Sequence, residues 1–448
     1  MSARRVAYDV LRAVHESDAY ANLLLPIAIA RAGLGEKDAA LATELAYGTL
    51  RRQGTYDAII RAAADREVSK IDPAVLDALR LGVHQLLATR IASHAAVHET
   101  VELVRREAGR GATGFANAVL RRIARDTPGE WLARIERDAR SDDERLGLAA
   151  SHPVWVIRAL RRALAAEGRA DELEALLKAD NESPRVTLAV LPGLAECPAD
   201  LAPTPYSPVG ARLAGGDPQA VVAEGRIRVQ DEGSQLAALA LTRALPVRAG
   251  ERWLDLCAGP GGKTALLAAE ALAGGAVLEA NEVVPARSGL VRKALAGIPL
   301  EVEVSEEDGR ERAGRGSYDR ILVDAPCTGL GALRRRPEAR WRKQPSDVPE
   351  LTALQTELVD AGLSALRPGG VLAYVTCSPH LAETAGVLAE IMRAWGDRVE
   401  ELDARAVLQR VARSPLDLPA QADGSGRAQL WPHRHGTDAM SISLLRRR

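Results

Sequence analysis

The chain of 448 residues is long enough for two or three domains, and 47% hydrophobic with 27% charged residues describes an ordinary well-cored protein. Its 59 Lys and Arg nearly cancel its 60 Asp and Glu, which excludes a globally cationic coat and makes any nucleic-acid surface a local one. Only four cysteines occur, Cys197, Cys257, Cys327 and Cys377, with no CxxC pair. Neither a disulfide scaffold nor a metal site is therefore expected, and a reducing, cytoplasmic compartment suits the chain. Asp9 falls where a secretory signal needs an apolar run, and no apolar stretch nears the roughly 20 residues of a membrane span, so no membrane partner is expected.

In chain order, residues 4–126 read as successive helices. Leu23, Leu24, Ile27 and Ala30 recur at helical spacing, as do Leu76, Leu79, Val83, Leu86 and Leu87, with loop signals at 33–35 and 111–114. Residues 1–130 are thus predicted to form an all-α domain. They carry 18 Lys and Arg against 16 Asp and Glu, but the basic residues cluster at Arg51, Arg52, Arg105, Arg106, Arg121, Arg122 and Arg125. Any one pair reads as a solvated helix face, whereas several clusters in one small domain suit phosphate contacts. Residues 131–231 read as a small α/β connector, with one helix from His152 to before Asn181 and a strand at Val186–Val190. From 232 the pattern becomes a helix (234–243) followed by strands at 252–256, 276–280, 300–304, 320–324 and 371–376, with helices between and a last strand at 439–445. That alternation predicts a parallel, doubly wound Rossmann-like sheet over 232–448.

The first of these strands runs into Asp255-Leu-Cys257-Ala258-Gly259-Pro260-Gly261-Gly262-Lys263-Thr264 and then a helix. Glycines there let a ligand approach backbone, and the helix N-terminus favours negative charge. A phosphate-binding P-loop is the rival reading, since Gly262-Lys263-Thr264 fits the end of GxxxxGK[ST] and Ile321–Asp324 resembles a Walker-B strand. Its first glycine, however, would fall on Cys257. Glu279, with Glu282 as second candidate, stands where a ribose diol wants a carboxylate, and Asp308 adds an acid at the same sheet edge. Acids along three strand ends suit an adenosine with a cationic sulfonium and repel a triphosphate. The two readings predict binding of S-adenosylmethionine and magnesium-dependent binding of ATP, respectively.

Asp324-Ala-Pro-Cys327 ends one predicted strand and Thr376-Cys377-Ser378 the next, which places two of the four cysteines in one crevice. Cys197 and Cys257 read instead as ordinary apolar fillers. A thiolate that adds to carbon 6 of a pyrimidine makes carbon 5 nucleophilic, and this is what a methyl donor needs. Asp324, its pKa raised by burial, is the candidate acid at ring nitrogen 3, and Lys263 could supply the positive charge that a thiolate requires. The residues alone leave open which thiol attacks. They also leave open a non-catalytic RNA-binding or assembly factor.

Val229–Gln235, Asp255–Lys263, Asp324–Cys327 and Thr376–Ser378 together resemble the RNA cytosine-C5 methyltransferases of the Sun family. The likeness extends through Arg334, Arg335, Arg336, Pro337, Trp341 and Arg342 to Pro432–Asp438. Leu45–Arg51 and Gly114–Arg121 resemble the NusB-like RNA-binding domain. The resemblance implies an S-adenosylmethionine-dependent enzyme that forms 5-methylcytosine in 16S ribosomal RNA and acts as a monomer without a metal. It implies Cys377 as nucleophile, Cys327 as the group assisting product release, and cofactor contacts at 257–263, Glu279, Asp308 and Asp324. It further implies RNA contacts at Arg334–Arg336 beside those of the helical domain.

Overall fold

The computed structural model describes residues 1–17, 19–213, 221–222, 225–313 and 317–448. It divides the chain into two compact units: Met1–Arg158 with Leu177–Glu182 and Leu333–Arg342, and Ala159–Leu176 with Ser183–Ala332 and Lys343–Arg448. The expected three-part division thus becomes two. Residues 131–158 continue the helical unit, and 183–231 join the sheet-bearing one. The expected single helix after His152 is two, Val154–Ala165 and Leu173–Asp180, broken by Gly168 at φ +70°.

In the helical unit, helices from Ala3–Glu16 to Asp142–Ala150 bury one stripe each in a common core that includes Leu11, Leu45, Leu79, Leu120 and Trp131. Trp131 buries its ring and donates its indole N–H to the Ile123 carbonyl at 2.9 Å. The segment Leu333–Arg342 belongs to this unit through buried polar contacts. Glu338 accepts from the Ala21 amide (3.3 Å) at the start of helix Ala21–Ala32, and the Arg342 guanidinium donates to the Val14 carbonyl (2.9 Å). Arg340 is fully buried and donates to the carbonyls of Arg51 (3.2 Å), Ser151 (3.0 Å) and Asp180 (3.3 Å) and to Asn181 Oδ1 (2.9 Å). Burial pulls its pKa down to about 10, which still leaves it charged at neutral pH.

The other unit carries two sheets. The small one, β1 (Thr187–Val190), β2 (Ala202–Pro203), β3 (Gly210–Arg212) and β4 (Ile227–Val229), is antiparallel in the order β2-β3-β1-β4. The large one comprises β5 (Arg252–Asp255), β6 (Val277–Asn281), β7 (Glu303–Ser305), β8 (Tyr318–Asp324), β9 (Leu366–Thr376), β10 (Val399–Leu402), β11 (Ala428–Gln429) and β12 (Ser441–Arg447). Its order is β10-β12-β9-β8-β5-β6-β7, with β11 on β12. The five strands β5 to β9 are parallel as expected. The sheet as a whole is mixed, because β12 enters beside the end of β9 (Ser441 opposite Thr376) and runs back antiparallel to both β9 and β10.

Period-two alternation builds a core on each face of this sheet. Trp253, Leu322, Val371, Ala373 and Val375 pack on one side, and Leu254, Ile321, Val323, Leu372 and Tyr374 on the other. The motif Val229–Gln235 is a joint within this unit. Asp231 caps helix Glu232–Thr242 and accepts from the Asp438 amide (3.1 Å), Glu232 accepts from the amides of Tyr206 (2.6 Å) and Ser207 (2.7 Å), and buried Gln235 donates to the Leu188 carbonyl (3.1 Å). From β5 the chain winds outward to β7 and returns at β8, so the switch point lies between β5 and β8 and opens a crevice at their carboxyl ends.

Arg340→Ala leaves four buried acceptors without their donor, a loss of roughly 2–4 kcal/mol. Thermal unfolding should show a lower melting point, and Arg340→Lys should restore little of it because an ammonium cannot reproduce the guanidinium fork.

Candidate active site

The switch point gathers residues from β5, β8 and β9. Parallel register pairs Asp255 with Leu322 and Asp324 with Val375, so Asp324 extends beyond Asp255 into the crevice. Lys263, in the first turn of helix Gly262–Gly274, reaches across and donates to Asp324 Oδ2 at 2.7 Å. Burial pulls the Lys263 pKa down, but Asp324, Cys377 and Asp255 together hold it above its ordinary value. The group that the Asp324 carboxyl meets is thus an ammonium.

Cys327 Sγ and Cys377 Sγ lie 3.4 Å apart, both half-buried. Gly331 makes this closeness possible. Its amide donates to the Cys377 carbonyl (2.9 Å) and its own carbonyl accepts from the Ala439 amide (2.8 Å), and a Cβ at 331 would stand 2.0 Å from the Ala439 oxygen. The hydrogen bond to Cys377, then burial and the negative charge of Cys377, raise the Cys327 pKa well above that of a free thiol.

The glycine loop is fixed from outside. The Gly259 amide donates to Glu282 Oε2 (2.9 Å), and a Cβ at 259 would stand 2.1 Å from that oxygen. A P-loop would direct this amide at a phosphate; here a carboxylate takes it. The Ala258 amide donates to the Asn281 carbonyl (2.8 Å), the Gly261 amide to the Ala258 carbonyl (2.7 Å), and the Arg287 guanidinium to the Gly259 carbonyl (2.6 Å). Of residues 257–263 only Pro260 is exposed, and Cys257, Gly262 and Lys263 are half-buried. Burial pushes the Cys257 thiol far up, which suits an apolar filler. Asp255 Oδ2 accepts from the Thr264 hydroxyl (2.8 Å), and among the described residues its buried Oδ1 has no close hydrogen-bond partner.

The two glutamates expected to compete for a ribose part company. Glu279 lies within β6, opposite Leu254 and Glu303. Its carboxylate is bound by Arg252 (2.6 Å), by Arg312 and by the Tyr318 hydroxyl (2.9 Å), toward the starts of β5 and β8 and away from the crevice. This corrects the preference for Glu279: β6 continues to Asn281, and the acid past its end is Glu282. Glu282 Oε1 accepts from the Val284 amide (3.0 Å), and exposed Val283 and Val284 follow it. Asp308 is paired with Arg310 at 2.5 Å, which also binds Glu357.

The arginine clusters also divide. Arg51 and Arg334 are buried, and the Arg51 guanidinium donates to the Arg334 carbonyl (3.3 Å) and lies 5.4 Å from the Tyr47 ring. Both were expected at phosphate, and burial keeps their guanidinium groups from solvent. Arg335 is half-buried, while Arg336 is exposed above Tyr20 at 5.7 Å. Arg52, Arg105, Arg106, Arg121, Arg122 and Arg125 are exposed on the helical unit. Arg105 pairs with Glu102 (3.0 Å), and Arg121 and Arg122 donate to Asn117 (3.1 Å) and to the Ala63 carbonyl (3.0 Å).

Sequence reasoning missed Glu383. It is fully buried and reaches the segments that follow both cysteines. A lone glutamate five residues after Ser378 carries no signal in one dimension.

Comparison with known proteins gives the family and the fold. Residues 242–446 match the family model described as 16S rRNA methyltransferase RsmB/F, and residues 1–125 match the NusB family. A Mycobacterium tuberculosis protein provisionally named a methyltransferase is 49% identical over 456 aligned positions, covering 99% of this chain and 96% of the relative. The ribosomal RNA small subunit methyltransferase B of Pseudomonas putida is 35% identical over 427 positions, covering 92% of this chain and 93% of that protein. The crystal structure of PH0851 has the same fold, with a TM-score of 0.80, 22% identity, and 99% and 98% of the two chains covered.

Burial, opposed by the Thr264 hydroxyl, raises the Asp255 pKa to about 7. Between the unfolded value near 3.9 and about 7 the native state holds the proton that the unfolded chain has lost, so this group's contribution to stability falls as pH rises through that window. The stability of Asp255→Asn relative to the parent should therefore increase from pH 4 to 7 in thermal unfolding and level off above.

Proposed function

The chain belongs to the 16S rRNA methyltransferase RsmB/F family, and on that premise we propose that it forms 5-methylcytosine in 16S ribosomal RNA through covalent attack by Cys377. It is an S-adenosylmethionine-dependent methyltransferase, and the residues at the switch point fit that cofactor. A carboxylate past the second strand, two exposed valines beside it, a glycine turn without room for a Cβ and a buried Asp255 oxygen with no close partner among the described residues suit a diol, a flat base and a cationic donor. Glu282 is the residue we assign to the ribose, with Val283 and Val284 beside the base, residues 257–263 behind it, and Asp255, Asp308 and Asp324 as further acids. When bound, S-adenosylmethionine supplies an electrophilic methyl group.

The observation that carries the proposal is the pair of thiols 3.4 Å apart beside the Lys263–Asp324 ion pair. Cys377, the member with an ammonium close enough to sense its charge, adds as thiolate to carbon 6 of the base. The Lys263–Asp324 pair faces the ring edge, gives a proton to nitrogen 3 as negative charge develops there, and takes it back when the ring is restored. Before attack, the contact with Cys377, burial and nearby negative charge hold the Cys327 pKa up, so it enters the reaction as a thiol. Once the Cys377 sulfur is bonded to carbon, that restraint is gone and Cys327 releases its proton to solvent water, becoming a thiolate. It then takes the carbon-5 proton, the electron pair of that bond restores the ring double bond, and Cys377 leaves as thiolate. The target base must be out of its stack to reach these groups. The exposed arginines of the helical unit, with Arg335 and Arg336, are the phosphate contacts we assign to the RNA. The four free thiols suit action in a reducing cytoplasm.

Mass mapping of 16S ribosomal RNA should find one or more 5-methylcytosines that vanish without this chain. Cys377→Ala should abolish turnover, while Cys327→Ala should accumulate a denaturant-resistant protein–RNA adduct on gels; no adduct from either variant would reverse or remove the assigned roles. Glu282→Ala should weaken equilibrium binding of S-adenosylmethionine by about tenfold or more, and Glu279→Gln should leave it within about twofold.

A further inference from the structure

Glu383 is a fully buried carboxylate outside the reacting pair. Four donors converge on it. Oε1 accepts from the Thr328 amide (2.7 Å) and from Gln355 Nε2 (3.3 Å), and Oε2 from the hydroxyls of Thr328 (2.6 Å) and Ser378 (2.6 Å). Thr328 directly follows Cys327 and Ser378 directly follows Cys377, and both are buried. The two hydroxyls are themselves 3.0 Å apart. Behind the carboxylate, Tyr374 donates to the Glu383 carbonyl (2.5 Å) and to Gln355 Oε1 (3.1 Å), and Gln355 Nε2 also donates to the Pro326 carbonyl (2.7 Å). Removing a carboxylate from water is costly unless its lone pairs are filled, and here every strong partner comes from one of two segments that must otherwise find each other. A charge-assisted bond from each segment to a single group fixes their separation in a way that apolar packing would not.

We propose that Glu383 is a positioning residue that locks the segments after β8 and β9 together and so sets the distance between the Cys327 and Cys377 sulfurs. The proposal rests on the covalent reading for its consequence in catalysis but not for its geometry. Glu383 touches no reacting atom; it acts through Thr328 and Ser378. Its negative charge also adds to the forces that keep Cys327 protonated before attack.

Two readouts test this. In single-turnover methylation, Glu383→Ala should lower the rate by about 100-fold, the size expected when reacting groups are displaced by about 1 Å, with KM for RNA and the affinity for S-adenosylmethionine within about twofold of the parent. Glu383→Gln keeps one accepting oxygen and should fall between them. The second readout is the equilibrium of the free enzyme with glutathione disulfide, in which the two thiols are oxidised to one disulfide and the glutathione disulfide is reduced to two glutathiones. Glu383→Ala should disfavour that disulfide by about tenfold or more, corresponding to at least 1.4 kcal/mol. If Glu383→Ala does not fold, Thr328→Val combined with Ser378→Ala removes two donors and leaves the carboxylate, and the same two losses are expected while Thr328→Ser keeps both. A parental rate and a parental disulfide equilibrium in these variants overturn the proposal. If Cys377→Ala remains active, the covalent reading fails, and the disulfide equilibrium still decides whether Glu383 holds the segments.

Discussion

Two sulfur atoms in contact at the ends of neighbouring parallel strands are the constraint around which this unit is arranged. Strands β8 and β9 are in register through Asp324 and Val375, so the residues just beyond them are side by side before any tertiary contact is made. Closing the remaining gap needs a backbone without a Cβ at Gly331 and a shared acceptor for the segments that carry the thiols. Proximity then does chemical work. Contact between two thiols, with burial around them, raises the pKa of Cys327, so the titration of each sulfur depends on the state of the other. Lys263 adds the positive charge, and Asp324 keeps it aimed at the crevice.

Buried ionic and polar contacts recur wherever the chain must hold a segment in a defined place. Arg320 is buried and binds Glu251 at 2.8 Å and the carbonyls of Leu241, Leu245 and Pro246, which ties the end of helix Glu232–Thr242 to the sheet. Arg434 is shared by Glu167 and Glu172 at 2.7 and 2.6 Å. Arg340 does the same for Leu333–Arg342 in the helical unit. Each replaces generic packing with a geometry that only one arrangement satisfies. With aromatic residues only 3% of the chain, few large rings are available to lock elements by shape.

Much of this was legible in one dimension. The glycine loop, the two Cys-bearing strand ends and the helical first part have local signatures, because turns, strand alternation and helical periodicity are properties of short stretches. Only the order of the strands was needed to bring Cys327 and Cys377 together, and strand-helix alternation already implied it. What failed depended on long-range partners or on a strand's last residue. Glu279 and Glu282 differ by three positions, and the end of β6 at Asn281 leaves Glu279 within the strand and Glu282 past it. Arg51 and Arg334 look like surface cations until the segment at 333–342 packs beside helix Glu36–Arg51. The antiparallel β12 and the edge strand β10 follow from how the chain returns after helix Ala404–Val411, which no pattern of hydrophobicity encodes. Glu383 takes its meaning from Thr328, 55 residues earlier.

The central claim is that the sulfur beyond β9, rather than the one beyond β8, bonds to the base. It is tested most directly with RNA carrying 5-fluorocytosine, because a fluorine at carbon 5 cannot leave as a proton and the adduct stalls. After incubation with S-adenosylmethionine and digestion of both polymers, mass spectrometry of the joined fragment should find the nucleotide on the peptide containing Cys377. A nucleotide on the Cys327 peptide, or no joined fragment at all, would contradict the account.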